Sequence, residues 1–379
     1  MLIKNAVIHD AIHPEPYTGD ILVKDGKIVS VGAAVTGDGE VIDASGLHAY
    51  PGFVDAHSHI GLDGYGGPTG NTFDYNEMND ICCPQLRGLD SYYAQDAAIP
   101  MALEGGVTTV ATGPGSANVL GGTFIAVKLY GNTVEEALVD PAVAMKCAFG
   151  ENPKRCYRDK CDSARMTTAA ILRQTLFEAR DYMLRKEAAG DDITKMPKFD
   201  MKMEALIPVM KREIPLKAHA HRSDDIMTAI RIAKEFDLKL TIEHCTEGHL
   251  IVDELAAAGV PVAVGPTLTN ASKLELLNKS WETPGVLAAA GVQVSIITDA
   301  PVIPEQSLPL CAGLAVKAGM DPFMALQAIT INPARHIGIE DRVGSLEAGK
   351  DADIVLTDGD PMVSDTAVKY VIVDGKIRK

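Results

Sequence analysis

Apolar positions along the chain recur with two different periods, and the two are segregated. Near both ends the spacing is two residues, the mark of a half-buried strand. Residues 21–31, ILVKDGKIVSV, alternate about Asp25-Gly26, and residues 368–378, VKYVIVDGKIR, repeat the device about Asp374-Gly375. Asp-Gly between alternating apolar runs predicts a tight hairpin turn. Residues 353–357, DIVLT, add another strand. Strands at both extremes with a long middle between them predict a small composite β-sandwich domain, residues 1–50 together with 343–379.

The middle, residues 51–342, alternates short β runs with segments of helical period. YPGFVDAH, VTTVAT, TFIAVKLY, AVAMKCAF, LKAHAH, KLTIEHC, VPVAVG and VQVSIIT read as eight strands. TAAILRQTLFEARDYMLRKEA (168–188), DDIMTAIRIAKEF and LIVDELAAAG carry the helical spacing. Eight β runs with intervening helices predict an α/β fold of the (β/α)8 TIM-like barrel type. A doubly wound sheet would want a glycine-rich phosphate loop after its first strand. The first strand here ends in His-Ser-His instead.

Charge narrows the function. With 35 basic and 51 acidic side chains the net charge is −16 and the pI about 5.0. Such a surface repels phosphate backbones and anionic headgroups, so neither nucleic acid nor membrane is an expected partner. A small-molecule substrate is, and a homo-oligomer is compatible with everything above. No apolar run reaches the roughly 18 residues of a membrane span, and MLIKNAVIHD lacks the features of a signal peptide. Seven cysteines, an odd number at irregular spacings, predict reduced thiols and a cytoplasmic location.

The candidate chemistry lies at strand ends, where barrels carry their active sites. Strand one closes on His57-Ser58-His59. Side chains alternate along a strand, so both imidazoles share one face. Strand five repeats this with His219 and His221, strand six ends in His244 and strand eight in Asp299. Of ten histidines, five gather at three strand ends. Imidazole and carboxylate without thiolate predict one or two divalent ions, with zinc foremost.

The chain resembles the amidohydrolase superfamily, and within it the imidazolonepropionase-related, metal-dependent amidohydrolases. PGFVDAHSHIG (51–61), GGVTTVATGPGS (105–116), TINPARHIGIEDRVGSLEAGKDADIVL (330–356) and the final VDGK carry the likeness. The resemblance implies metal ligation by His57, His59, His219, His244 and Asp299. It also implies a bridging ligand near the end of strand four, a carboxylated lysine in many members and a glutamate in others. Parity along AVAMKCAFGENPKR puts Val143, Met145, Cys147, Phe149 and Glu151 on one face, which we assign to the barrel interior. Glu151 is then the expected bridge, with a carboxylated Lys146 or Lys128 as the alternative.

Imidazolonepropionases and deaminases of the superfamily need a glutamate shortly after the strand-five histidine. After His219 come Ala220, His221, Arg222, Ser223 and Asp224, which favours a hydrolase using a metal-generated hydroxide. The expected activity is cleavage of an amide C–N bond in a small molecule: a cyclic amide, an N-acyl amino acid or a dipeptide. Asp299 would carry the proton to the leaving nitrogen. His221 would either bond the carbonyl oxygen or support His219. A heterocycle deaminase and a catalytically silent scaffold are the alternatives, though the silent relative would be expected to have lost ligands.

Substrate selection is expected from the loops. One, after strand one, holds Asn71, Asp74, Asn76, Glu77 and Arg87. Another, after strand four, holds Lys154, Arg155, Arg158, Lys160 and Arg165, a local reversal of the net charge. Arg155 and Arg165, with Asn76, are the expected contacts to a carboxylate-bearing substrate, because guanidinium grips carboxylates at two points. A merely solvated loop is the alternative. Gly113, Gly115, Gly121 and Gly122 either let backbone approach the site or only form turns.

Overall fold

A computed structural model describes residues 1–63, 74–157 and 163–379. Its strands fall into two sheets of eight. The first five are β1 (Leu2–Ile8), β2 (Tyr17–Lys24), β3 (Lys27–Gly32), β4 (Val41–Asp43) and β5 (His48–Pro51). Eight more follow: β6 (Phe53–Ser58), β7 (Val107–Thr112), β8 (Leu120–Lys128), β9 (Leu138–Ala148), β10 (Leu216–Ala220), β11 (Leu240–His244), β12 (Val262–Val264) and β13 (Val294–Ile296). The last three are β14 (Ile354–Thr357), β15 (Val368–Val373) and β16 (Lys376–Ile377).

The terminal sheet runs β16-β15-β14-β5-β1-β2-β3, with β4 beside β1, so both chain ends build it. Its hairpins turn where Asp-Gly stands: Asp25 and Gly26 have φ +51° and +77°, Asp374 and Gly375 +48° and +71°. Two consecutive left-handed residues match the twist of the strands they join. Ile3, Ile21, Ile28, Ile354 and Ile372 close its core.

Strands β6 to β13 form the second sheet, a nearly closed barrel in sequence order. The seam between β13 and β6 is bridged by backbone: Ile296 N donates to Ala328 O at 2.8 Å and Val54 N to Ile329 O at 2.9 Å. Strand β8 departs from the expected alternation, running antiparallel to both β7 and β9. The segment 113–119 joining β7 to β8 is shorter than the dozen or so residues that a parallel crossover requires, so the chain folds straight back.

Helices α1 (Glu151–Cys156), α2 (Arg165–Ala189), α3 (Met201–Met210), α4 (Ser223–Phe236) and α5 (Ile331–His336) matter for the site. On α4, Ile226, Ala229, Ile230, Ala233 and Phe236 recur every three or four residues and form the buried stripe. The helix stops at Asp237, in the left-handed region at φ +54°. In α3 the Asp200 side chain caps Lys202 N and Met203 N.

The face assignment on β9 is reversed. Met145, Cys147 and Phe149 pack outward, in one core with Leu172, Leu206 and Ile226 of α2, α3 and α4. Lys146 is fully buried on the opposite, barrel-facing side. Bulky residues belong outside because covering helices need apolar surface to pack on. The barrel lumen near the site is instead narrow and charged, occupied by Lys146, Lys217 and Glu243.

Candidate metal centre

At the strand ends, five imidazoles turn the same ring atom away from a common centre. His57 Nδ1 lies 3.2 Å from Glu243 Oε2, and His59 Nδ1 donates to Gly113 O at 2.7 Å. His219 Nδ1 pairs with Ser116 Oγ at 2.8 Å and His221 Nδ1 with Thr246 Oγ1 at 2.7 Å. His244 Nδ1 donates to Gly265 O at 2.8 Å. The Nε2 atoms are left facing inward, and those of His57, His219 and His244 are buried without a hydrogen-bond partner. Orphaned buried polar atoms are costly and rare, and several converging ones need a shared partner.

Asp299 supplies the carboxylate: its Oδ1 is 3.3 Å from His59 Nε2 and 3.5 Å from His57 Nε2. Two groups have ligand atoms close enough to hold an ion, His57 with His244 and Asp299, and His219 with His221 and His244. His244 belongs to both. Backbone strain accompanies this convergence, since His244, Cys245 and Asp299 all have left-handed φ, +73°, +45° and +55°. Non-glycine residues are held there only when their surroundings enforce it, which is typical of functional sites.

Burial holds His57, His219 and His221 well below the usual histidine range and brings His244 to about 4, so these rings are neutral lone-pair donors at pH 7. Burial alone would raise the Asp299 carboxyl; positive charge at this centre, on the facing rings of His244, His59 and His57 or on a cation they hold, pulls it down. A set of neutral imidazoles around an ionised carboxylate is what a borderline divalent cation takes.

Lys146 reaches this centre and Glu151 does not. Lys146 Nζ donates to Ser116 Oγ at 2.8 Å, on the hydroxyl that pairs with His219. Burial lowers its pKa to about 8 against the opposing pull of Asp299 and Glu243. Glu151 sits on the first turn of α1, where its Oε1 accepts from Glu275 N at 3.1 Å while its own N donates to Glu275 Oε2 at 2.9 Å. Lys128 is farther still. Because β8 is antiparallel, its end lies at the opposite mouth of the barrel, where Lys128 pairs with Asp351 at 2.7 Å and with Asp353 and Asp374.

A cleft of about 410 Å³ opens over the histidines, and both Asn76 and Arg155 line it. Asn76 Oδ1 also accepts from Ala117 N at 3.2 Å. Arg165 does not line this cleft; its Nε donates to Asp225 Oδ2 at 2.9 Å and its Nη2 is 3.6 Å from Glu275. The guanidinium is thus already engaged as a strut between α2, α4 and the Glu275 loop. Asn71, Arg158, Lys160 and Cys161 lie outside the described residues. At Gly115 a side chain would collide with Tyr75 and Asn76, so the glycine lets that loop close over the cleft. Gly122, at φ +110° against Leu86 O, is needed for its own conformation. A wider groove of about 520 Å³ lies at the opposite mouth, lined by Arg212, Lys239 and Arg335, and none of the five site histidines reaches it.

Several residues have no motif to announce them. Lys273, whose Nζ is 2.9 Å from Asn152 Oδ1 and 2.7 Å from Glu275 Oε1, lines the cleft from the segment after β12. Glu275 Oε1 lies 3.9 Å from His221 Nε2. Lys146 could have been found: it is register-paired with Lys217, two residues before His219 on β10, and so shares the histidine's inward face.

Fold and site together define a barrel protein equipped to hold divalent metal at its strand ends. The chain belongs to the amidohydrolase family, whose profile matches residues 49–378. A crystal structure of an amidohydrolase from Thermotoga maritima is 42% identical, covers 100% of this chain and 99% of that one, and superposes with a TM-score of 0.96. Amidohydrolase tasK of Hapsidospora irregularis is 29% identical over 95% of this chain, which spans only 40% of that protein's length. The imidazolonepropionase of Caldanaerobacter subterraneus subsp. tengcongensis is 27% identical over 89% of this chain and 83% of its own. Dihydroorotases and deaminases are further relatives. Among the described residues, no helix is long and apolar enough to cross a membrane, and the six described cysteines are free thiols.

Proposed function

We propose that the protein is a metal-dependent hydrolase cleaving an amide C–N bond in a small, carboxylate-bearing molecule: a cyclic amide, an N-acyl amino acid or a dipeptide. The observation carrying this is the convergence of orphaned, neutral Nε2 atoms, those of His57 and His244 on the half-buried Asp299 carboxylate and that of His219 beside His244. His57, His59 and Asp299 would hold one ion and His219 and His244 a second, with zinc favoured by the imidazole–carboxylate set. Such an ion brings water's pKa down toward 7 and polarises a carbonyl.

The chain's own groups supply the rest. Asp299, ionised and 15% exposed at the floor of the cleft, is suited to take a proton from the attacking water and pass it to the leaving nitrogen. Lys146 replaces Glu151 as the proposed bridge. A substantial fraction of its amine is neutral near pH 8, so Nζ can bond carbon dioxide with loss of one proton and present a carbamate. His221, tied by Thr246, keeps Nε2 for either a substrate oxygen or the metal. Arg155 and Lys273 are the cations at the cleft for a substrate carboxylate, and Asn76 is a polar contact.

Deamination of a heterocycle is the second reading. It is favoured by Glu275, a buried carboxylate brought near His221 from another loop. Cytoplasmic residence agrees with the free thiols. A division into a composite β-sandwich domain, 1–50 with 343–379, and a catalytic barrel, 51–342, agrees with the separate terminal sheet. A homo-oligomer remains part of the same proposal. The test is metal analysis of purified protein, followed by a screen of N-acyl amino acids, dipeptides, cyclic amides and amino-heterocycles. Chelator-sensitive release of amino acid is expected. Ammonia release from heterocycles alone would replace the first reading by the second, and metal-free protein with undiminished turnover would overturn both.

A further inference from the structure

Behind the five histidines lies a buried carboxylate, Glu243. Alternation along β11 turns Thr241 and Glu243 into the lumen, and the left-handed backbone at His244 brings the next side chain to the site as well. Both Glu243 oxygens are fully occupied. Oε2 accepts from Lys217 Nζ at 2.7 Å and faces His57 Nδ1 at 3.2 Å. Oε1 accepts from Thr241 Oγ1 at 2.7 Å and faces His336 Nε2 at 2.8 Å. Glu243 is completely buried, so no water competes for these positions.

We infer that Glu243 is the positioning residue that sets His57 for metal binding, and that Lys217 and His336 hold Glu243 in place for that purpose. An ionised carboxylate has no proton to give. It only accepts, so every atom facing it must bring a proton. His57 therefore carries its hydrogen on Nδ1 and its lone pair on Nε2, the atom that faces Asp299 at 3.5 Å. The Lys217 ammonium supplies the balancing charge, and the Thr241 hydroxyl and the His336 ring on α5 fix the remaining lone pairs. Carboxylate–imidazole–metal relays of this kind fix ring orientation and raise ligand basicity, and losing the outer partner typically weakens metal binding 10- to 100-fold.

The inference rests on the metal centre proposed above, and the experiment separates the two. Zinc affinity of the full chain is measured by chelator competition for wild type, Glu243→Gln, and Glu243→Gln with Lys217→Met. The double variant does not strand the Lys217 ammonium. Its metal-free form should unfold near wild type, while zinc binds about 10- to 100-fold more weakly in both variants. On the unmutated protein without metal, imidazole nitrogen shifts should give His57 as the Nδ1–H tautomer. This second measurement decides the question even if neither variant folds. Zinc affinity within twofold of wild type, or an Nε2–H tautomer at His57, overturns the inference and leaves the metal centre standing. A wild-type protein that binds no zinc overturns the metal reading and the inference with it.

Discussion

Among the described residues, Lys128 is the only buried cation joining the barrel to the three aspartates at the C-terminal edge of the terminal sheet, and Lys128→Met removes the charge while nearly conserving the stem. Its side chain is 2% exposed and meets Asp351 Oδ2 at 2.7 Å, Asp353 Oδ1 at 3.2 Å and Asp374. The three acids lose different amounts. Asp351 keeps Lys27 at 2.5 Å and Arg342 at 2.8 Å, and Asp374 keeps the Tyr130 hydroxyl at 2.7 Å. Asp353 keeps only the backbone N–H of Asp374, at 2.9 Å, and its Oδ2 is already unpartnered. Burial raises its pKa even with Lys128 opposite.

Breaking a buried ion pair from one side costs about 3–5 kcal/mol, because the other charge is stranded. Asp353 can cap this loss by taking up a proton, and lifting an ordinary carboxyl to neutrality at pH 7.5 costs about 5 kcal/mol. The expected loss is therefore about 3–5 kcal/mol at pH 7.5, read from urea unfolding of metal-free protein. In the variant the folded state holds a proton on Asp353 that the unfolded state releases near pH 4. Its stability therefore falls as pH rises above that value, and the gap to wild type narrows by up to about 1.4 kcal/mol per unit on going down to pH 5.5. Metal content should not change, because Lys128 is at the far mouth of the barrel. A loss under about 1 kcal/mol at pH 7.5, or a gap that widens toward pH 5.5, would refute this account of the junction.

Three further outcomes concern the site. Replacing both His57 and His59 by alanine should strip the metal and abolish turnover; full metal content in that variant would sink the ligand assignment. The native chain is expected to carry a one-carboxyl mass increment; Lys146→Met should remove it and lower the metal count by one, whereas Glu151→Gln should do neither, and the opposite pattern restores Glu151 as the bridge. Arg155→Met should reduce kcat/KM for a carboxylate substrate by roughly one to two orders of magnitude, as loss of a charge-assisted contact of about 1.5–3 kcal/mol implies, and leave the amide-capped analogue nearly untouched. Arg165→Met should lower stability instead, since its guanidinium is engaged by Asp225; equal rate losses in both arginine variants would contradict that distinction.

What could be read from the sequence was whatever depends on alternation within one strand. His57 and His59, like His219 and His221, announce a shared face by spacing alone, and the Asp-Gly pairs at both ends announce their turns. What could not be read depends on relations between segments. On β9 bulk does not mark the lumen: it marks the helix-covered exterior, and charge marks the interior. A better anchor was available in β10: His219 must face inward, Lys217 therefore does too, and the register carries that direction to Lys146. The reversal of β8 was encoded in the short link 113–119, and it puts Lys128 at the mouth that faces the terminal sheet. Glu275 and Lys273 belong to a loop without periodicity, so only tertiary structure brings them to His221 and Asn152.

The same contrast bears on which parts of the site select the reaction. The five converging rings are each held by a hydrogen bond to Nδ1, and three of those bonds go to Glu243, Gly113 and Gly265, on strand β11 or at the edge of the barrel wall. That half of the site is built into the barrel and resists change by loop substitution. The groups that would meet the substrate, Asn76, Arg155 and Lys273, stand on connections between strands, where residues can be exchanged without disturbing the wall. Relatives with one barrel and different reactions are therefore expected to differ at these positions rather than at the histidines. In this chain no glutamate closely follows His219, and Glu275 Oε1, from another loop, lies 3.9 Å from His221 Nε2. Whether Glu275 moves protons or only steadies Lys273 is thus the point on which hydrolysis and deamination divide. Glu275→Gln distinguishes them: it should abolish ammonia release if Glu275 is the proton carrier, and should mainly raise KM for a carboxylate substrate if it only positions Lys273.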